Sequence, residues 1–321
     1  MIEFQNIITQ EINQFDKKFK NILSTKASLL YKVTNYISQN TGKKIRPICT
    51  ILASGLLNNI NEKTYRSSIL IELLHTATLI HDDIVDDANI RRSKFSINAI
   101  WKNKISVLSG DYFLAKGLKL AVEYKDYDVL DEISTVVQKI VEGELIQIEK
   151  TKKLNLTEED YLKIINLKTG SLFECSFHVG GLSSEGNRND IKNLIDLGSL
   201  IGVLFQIKDD IIDYDTTNHS GKEYGNDIKE GKINLPLLYA LRNMNIVEKN
   251  STFRILRKKN NSLNDINMVC KLVAKYDSIK QAELIAENHY KKAILILQNF
   301  NNSKYKIAII ELLNFLINRE K

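Results

Sequence analysis

The stretch LIELLHTATLIHDDIVDD, residues 70–87, decides the fold class. Its apolar positions recur at helical spacing, with no proline or glycine to interrupt them. Near its end Asp82, Asp83 and Asp86 form Asp-Asp-x-x-Asp. On a helix Asp82 and Asp86 stand one turn apart, and His75 lies two turns before Asp82 on the same face. A second copy follows in IGVLFQIKDDIIDYD, residues 201–215, where Asp209, Asp210 and Asp213 repeat the spacing. There Gln206, Asp209, Asp210 and Asp213 make one stripe at i, i+3, i+4 and i+7. Like charges at these spacings cost a few tenths of a kcal/mol per pair in an isolated helix. A largely apolar helix has little reason to bear that twice unless cations sit between the carboxylates. Oxygen ligands that leave room for water and phosphate suit Mg²⁺.

Outward from these motifs the chain reads as helix nearly everywhere. It has two prolines, Pro47 and Pro236, and 14 glycines in 321 residues. Helical periodicity covers roughly 26–40, 45–58, 65–90, 105–124, 128–150, 158–181, 188–214, 234–243 and 279–318, the last broken near Asn301. No alternating strand followed by a hairpin turn stands out. Thr157 before Glu158, Glu159 and Asp160 is a helix start, and Ser303 caps the final helix. No Gly/Ser/Pro linker divides the chain, so residues 1–321 read as one all-α domain.

Composition narrows the function. The hydrophobic share of 43% provides a large core, and Lys+Arg exceed Asp+Glu by 45 − 39 = 6. No dense basic block with interleaved aromatics occurs, which argues against nucleic acid. A mild positive excess suits a small anionic substrate. Cys49, Cys175 and Cys270 follow no metal spacing and read as buried thiols in a reducing compartment. The N-terminus resembles neither a signal nor a transit peptide. No apolar run approaches the ~18 residues of a membrane span. The expected location is the cytoplasm, or the matrix or stroma of an organelle whose own genome encodes the chain.

Basic groups accompany the acids in order. Gly42-Lys43-Lys44-Ile45-Arg46-Pro47 opens a helix, whose N-terminal dipole favours anions. Arg91-Arg92 follows the first acidic motif, and Lys168-Thr169 lies late in the helix starting at Thr157. The segment 214–232 carries Gly221, Gly225 and Gly231 beside Lys222, Lys229 and Lys232. Those glycines give the backbone freedom and the lysines reach phosphate, as in a mobile lid.

With these motifs in place, the chain resembles the trans-polyprenyl diphosphate synthases, the head-to-tail prenyltransferases. GKKIRP and HTATLIHDDIVDDANIRRSKFSINAIW resemble the first half of that family. VEGELIQIE, INLKTGSLFE, FQIKDDIIDY and GNDIKEGKINLPLLYAL resemble the second. The resemblance runs from about Gly42 to Leu241. It implies an isoprenoid-synthase-type helical bundle around a central cavity, and a homodimer. It implies that Asp82, Asp83, Asp86, Asp209, Asp210 and Asp213 hold about three Mg²⁺ ions, oxygen-liganded and gripping an allylic diphosphate. Arg91, Lys168, Thr169, Gln206, Lys222 and Lys232 would contact that diphosphate, with Lys168 and Lys232 counted as catalytic. Lys43, Arg46, His75 and Arg92 would bind isopentenyl diphosphate. Glu142, Glu144 and Gln147 would face the cavity. The chain departs from the family at Thr41, at Ser93 and Phe95 after the arginine pair, and at Asn234, where Thr is common.

Product length is read from residues just before Asp82. Thr78 and Ala77 are small where short-chain relatives carry an aromatic floor, and Leu74 lies one turn deeper. An open tunnel gives a product of about six to ten isoprene units, of the kind used for a quinone side chain, since only bulk at these places would fill it. A short-chain farnesyl or geranylgeranyl synthase is the nearest rival. A terpene cyclase would carry a mixed Asn/Ser/Glu second motif. A silent binding subunit of a heteromeric synthase would have lost aspartates, and a purely structural helical protein leaves both stripes unexplained.

Overall fold

The computed structural model describes residues 3–40, 42–91, 94–215, 224–258 and 260–319. In chain order the helices are α1 (Glu3–Ile7), α2 (Thr9–Leu23), α3 (Ser28–Gln39), α4 (Ile45–Leu56) and α5 (Glu62–Val85). A two-stranded hairpin of β1 (Ile90–Arg91) and β2 (Lys94–Phe95) follows. Then come α6 (Ile97–Glu123), α7 (Tyr127–Lys153) and α8 (Glu158–Ile165). A π-helical turn, Asn166–Gly170, leads into α9 (Ser171–Ser183) and α10 (Arg188–Ile212). The rest is α11 (Asn226–Lys229), α12 (Leu235–Asn243), α13 (Ile246–Leu256), α14 (Leu263–Lys275), α15 (Ser278–Leu297) and α16 (Lys304–Ile317). The class is all-α.

The chain groups into two compact units. Unit 1 comprises Met1–Thr135, Leu172–Gly198 and Asn299–Glu311, and unit 2 comprises Val136–Ser171, Ser199–Gln298 and Leu312–Lys321. The core of unit 1 is built on α5. A capping box starts this helix: the Asn61 side chain accepts from Lys63 and Thr64 N–H, and Thr64 answers the Asn61 N–H. Phe15, Phe19 and Leu23 of α2 bury one face against Tyr65, Ile69 and Leu73 of α5. Each such aromatic or leucine contributes about 1.5–3 kcal/mol by leaving water. Phe113 of α6 closes the other side, with Ala77 and Ile80. In unit 2, α12 packs on α14 and α15. The fully buried Ala282, Ala286 and Ala293 along α15 let the neighbouring helices of unit 2 approach closely.

Several local expectations change. The pattern over 65–90 predicts one helix, but α5 ends at Val85 with Asp86 as its C-cap. Asp87 adopts φ 49°, and Ile90-Arg91 pairs antiparallel with Lys94-Phe95, a hairpin the sequence did not announce. Two-residue strands are too short to show alternation. The helix expected from 105 begins at Ile97, with Lys102 outside helical geometry at φ 67°, ψ 168°. The helix expected over 158–181 passes through the π turn. Helices α1, α2, α11, α13 and α14 lie outside the expected helical stretches, although α2 carries a clear buried stripe of Phe15, Phe19 and Leu23. The starts at Thr157 and Ser303 hold: Thr157 Oγ1 accepts the Asp160 N–H at 3.1 Å, and Ser303 Oγ that of Lys306 at 3.2 Å. The three cysteines are free and buried. Among the described residues no helix is long and apolar enough to cross a membrane.

Candidate active site

Unit 1 brings together several of the expected groups. Lys44 turns into α4 through a left-handed conformation (φ 51°, ψ 35°), anchored by Lys44 Nζ on Asp16 at 2.6 Å. This leaves Lys43 exposed just before the helix N-terminus. One turn on, Arg46 Nη1 lies 3.1 Å from His75 Nε2, with its guanidinium 4.8 Å above the Phe173 ring. Guanidinium only donates, so His75 Nε2 accepts and the imidazole is neutral, with its proton on Nδ1. The two residues assigned to one substrate are thus joined.

The three aspartates of the first motif differ. Asp82 is partly exposed and Asp86 fully so, one turn apart at the end of α5. Asp83 is buried and pairs with Arg91 Nε of β1 at 2.5 Å. The hairpin therefore folds Arg91 back onto the motif. His75, Thr76, Leu79, Asp83, Arg91 and Phe95 line part of a cavity of about 100 Å3. Arg92 lies outside the described residues. Of the residues from which the sequence reads product length, Leu74 and Ala77 are buried, Ala77 in one core cluster with Phe113. Thr78 Oγ1 donates to the His75 carbonyl at 2.9 Å.

Unit 2 assembles the second motif around a cavity of about 130 Å3 lined by Gln147, Lys168, Thr169, Gln206, Asp210, Asp227, Lys232 and Asn234. Lys168 and Thr169 sit in the π turn, a form often kept where function requires one residue out of helical register. A Cβ at Gly143 would lie 2.8 Å from Leu167, so glycine there admits this turn against α7. Lys168 Nζ contacts Glu144 and Gln147, whereas Glu142 is exposed. Thr169 Oγ1 donates to Gln206 Oε1 at 2.7 Å, and Gln206 Nε2 to Asp210 Oδ1 at 2.8 Å. Tyr161 donates to the other Asp210 oxygen at 2.7 Å.

Asp209 is exposed and meets Arg319 Nη2 at 2.9 Å; that guanidinium lies 5.1 Å from the Phe205 ring. Asp213 accepts two backbone N–H groups, Asn226 on Oδ1 at 3.0 Å and Asp227 on Oδ2 at 3.1 Å. Gly225 makes this turn possible at φ 70°. Lys232 Nζ reaches Glu230 at 2.5 Å. Lys222 and the rest of 216–223 lie outside the described residues. Sequence reasoning missed Tyr161, Asp227 and Arg319 as partners of the motif. Asp227 sits in the quoted GNDIKEGK, but no periodicity marks it. The other two are distant in sequence and carry no local signal.

The donor set fits a hard divalent cation. Burial and neighbouring carboxylates raise Asp210 well above the usual range, and burial raises Asp213. Desolvation and Asp213 push Asp227 up to about 7. Burial and mutual repulsion that raise three carboxyls despite nearby Lys232 and Arg319 are what a cation relieves. Among the described residues no three His, Cys, Asp or Glu side chains converge enough to hold a metal unaided. The ion would complete its shell with phosphate and water oxygens, as Mg²⁺ does.

The raised Asp227 has a consequence for metal-free protein. A carboxyl whose folded pKa exceeds its unfolded value stabilises the fold at low pH, and loses that contribution as pH rises through the folded value. Urea unfolding in EDTA should show wild-type stability falling between pH 5 and 7. The slope should be steeper than that of Asp227→Asn by up to ~1.4 kcal/mol per pH unit. Equal slopes would remove Asp227 from the cluster.

Comparison with known proteins follows the same residues. The family model described as polyprenyl synthetase matches residues 27–273, a span holding both acidic motifs. The octaprenyl diphosphate synthase of Escherichia coli (strain K12) is 31% identical over 300 residues, 93% of each chain. The geranylgeranyl diphosphate synthase of Sulfolobus acidocaldarius is 30% identical over 335 residues, the whole of both chains. The crystal structure of a polyprenyl synthase from Caulobacter crescentus CB15, complexed with calcium and isoprenyl diphosphate, superposes with TM-score 0.93 at 28% identity. That match covers 99% of this chain and 97% of the other. The chain belongs to the polyprenyl synthetase family of prenyltransferases.

Proposed function

We propose that this chain is a medium- to long-chain (E)-polyprenyl diphosphate synthase, joining isopentenyl diphosphate head-to-tail to an allylic diphosphate for a quinone side chain. The observation that carries it is the unit 2 cavity, where Lys168, Thr169, Gln206 and Lys232 gather around a carboxylate of the second motif. Such a mixture suits a diphosphate that arrives with cations.

Asp82, Asp86, Asp209 and Asp213 offer their carboxylates to Mg²⁺ directly. Asp83 and Asp210, engaged with Arg91 and with Tyr161 and Gln206, hold those groups in place. When bound, Mg²⁺ supplies Lewis-acid stabilisation of the departing diphosphate, worth several kcal/mol. Lys168, Lys232 and Arg91 add preorganised positive charge where the C–O bond breaks, and Lys222 is assigned to the same diphosphate. The allylic carbon becomes a delocalised cation, and the double bond of isopentenyl diphosphate attacks it. A new C–C bond forms, and the proton lost passes to the released diphosphate. Lys43, Arg46 and Arg92 hold the second diphosphate, with neutral His75 donating from Nδ1.

Relatives named for geranylgeranyl and for octaprenyl products match this chain about equally well. The longer product rests on small Ala77 and Thr78. Incubating purified protein with labelled isopentenyl diphosphate and farnesyl diphosphate, then sizing the dephosphorylated products, tests the proposal. Products of six or more units support it, and arrest at three or four units selects the short-chain reading. Absence of condensation would return the silent-subunit reading.

The protein is expected to be a homodimer. On α6, Val107, Leu118 and Val122 are 42%, 39% and 52% exposed along a face that also carries Asp111, a surface that a second copy would cover. Light scattering at micromolar concentration should give twice the 36.8 kDa chain mass; a monomer refutes the dimer. The cytoplasm, or an organelle compartment that makes its own copy, suits an enzyme of this design.

A further inference from the structure

We propose that Asn234 is a positioning residue for the second acidic motif. Its side-chain amide fixes the Asp227 carboxylate, and so keeps the 225–227 turn closed on Asp213. The inference rests on the reading above that Asp213 serves cation and diphosphate binding.

Asn234 precedes α12 in extended backbone (φ −102°, ψ 179°) and is 4% exposed. Its Oδ1 accepts the Leu237 N–H at 3.3 Å, capping a nine-residue helix, and the Tyr214 hydroxyl at 2.7 Å. Its Nδ2 donates to Asp227 Oδ2 at 2.7 Å. The amide orientation is fixed by these partners: a backbone N–H needs an acceptor and a carboxylate needs a donor.

Asp227 is thereby held on three sides. Its N–H lies on Asp213 Oδ2 at 3.1 Å, its carbonyl accepts the Lys232 N–H at 2.8 Å, and its carboxylate takes the Asn234 amide. The carbonyl bond is backbone to backbone, whereas the N–H bond ends on the Asp213 carboxylate itself. The third depends on one side chain, the only one that hydrogen-bonds the Asp227 carboxylate among the bonds described; it acts with the charge of Lys232 against repulsion from Asp213 and Glu230. Without the Nδ2 donor, Asp227 turns away and its N–H leaves Asp213. Asp213 then no longer stands oriented before a cation arrives. Asn234 also ties α12 to Tyr214, the residue after Asp213, so one amide links Tyr214 and Asp227.

The decisive variant is Asn234→Asp. It keeps shape, helix cap and the Tyr214 bond, but removes the donor and sets a second carboxylate against Asp227. Asn234→Thr retains a small hydroxyl able to donate to Asp227. Asp213→Ala is the reference, and Tyr214→Phe removes the amide's other side-chain bond. Binding of inorganic pyrophosphate in the presence of Mg²⁺ is followed by calorimetry, and the Mg²⁺ dependence of turnover and urea stability are measured beside it. Asn234→Asp should weaken pyrophosphate binding and raise the Mg²⁺ requirement by about tenfold or more. Asn234→Thr should recover most of the loss, and Tyr214→Phe should lower stability while leaving the Mg²⁺ requirement within about threefold, since its loss spares the Asp227 contact. If Asp213→Ala weakens binding but folded Asn234→Asp does not, the positioning role falls. If Asn234→Asp does not fold, Asn234→Thr and Asn234→Ser decide, and an unchanged Mg²⁺ requirement in a variant that has lost the Asp227 contact is equally fatal. If Asp213→Ala itself binds pyrophosphate normally, the assignment of Asp213 has failed instead.

Discussion

Asp82→Ala and Asp209→Ala should each lose about a thousandfold in turnover, equivalent to ~4 kcal/mol of lost transition-state stabilisation, and remain folded. The choice of these two follows from burial. Asp83 and Asp210 are 4% and 5% exposed and bonded to Arg91 and to Tyr161 and Gln206. Truncating either leaves buried polar groups unpaired, at several kcal/mol of stability, so lost activity would not be informative. Asp82 is partly exposed and Asp209 fully, so alanine there disturbs less buried polar structure than at Asp83 or Asp210. At Asp209 the truncation also releases Arg319, a guanidinium that occupies the carboxylate a cation would need. Excess EDTA should abolish wild-type turnover. Full activity of either variant, or wild-type turnover in EDTA, would end the cation assignment.

The doubled acidic stripe was legible in sequence because it is local. Both copies lie within single helices, where spacing in sequence is spacing in space. The same holds for the pairing of Arg46 with His75 only in part: each was singled out, but their contact joins α4 to α5. What sequence could not show is the division of labour within each motif. Asp82 and Asp83 are neighbours in the chain, yet one faces solvent and the other is buried on Arg91, because adjacent helical residues point about 100° apart. Reading the segment to Ile90 as helix hid the hairpin that returns Arg91 to Asp83. The periodic stretch 158–181 likewise concealed the π turn that presents Lys168 and Thr169, since a five-residue turn is too short to show as a break in periodicity. Tyr161, Asp227 and Arg319 matter through contacts made in three dimensions.

Ala77→Phe should shorten the product to three or four isoprene units while leaving condensation and the Mg²⁺ requirement intact. Ala77 lies five residues before Asp82, and Thr78 four before, on the helix that carries the first acidic motif. A chain growing away from that motif along α5 meets these side chains first. Both are small, so their replacement adds the volume of a ring where the product must pass. The structure gives the competing outcome a definite form. Ala77 is 2% exposed and belongs to the core cluster with Leu73, Ile80 and Phe113. A ring forced inward against Phe113 would overpack the core, costing about 1–3 kcal/mol, and would lower stability rather than redirect the product. The two effects separate by measurement. Shortened products from a variant that melts near the parent temperature mean that the ring lies in the path of the chain. An unchanged product distribution from a destabilised variant means that Ala77 serves only the α5–α6 packing. Thr78→Tyr provides the independent arm, because Thr78 is only partly buried and its hydroxyl makes a local bond to the His75 carbonyl that a helix loses cheaply. If neither variant shortens the product, the length of the chain is set elsewhere, and the long-product reading loses the residues on which it stands.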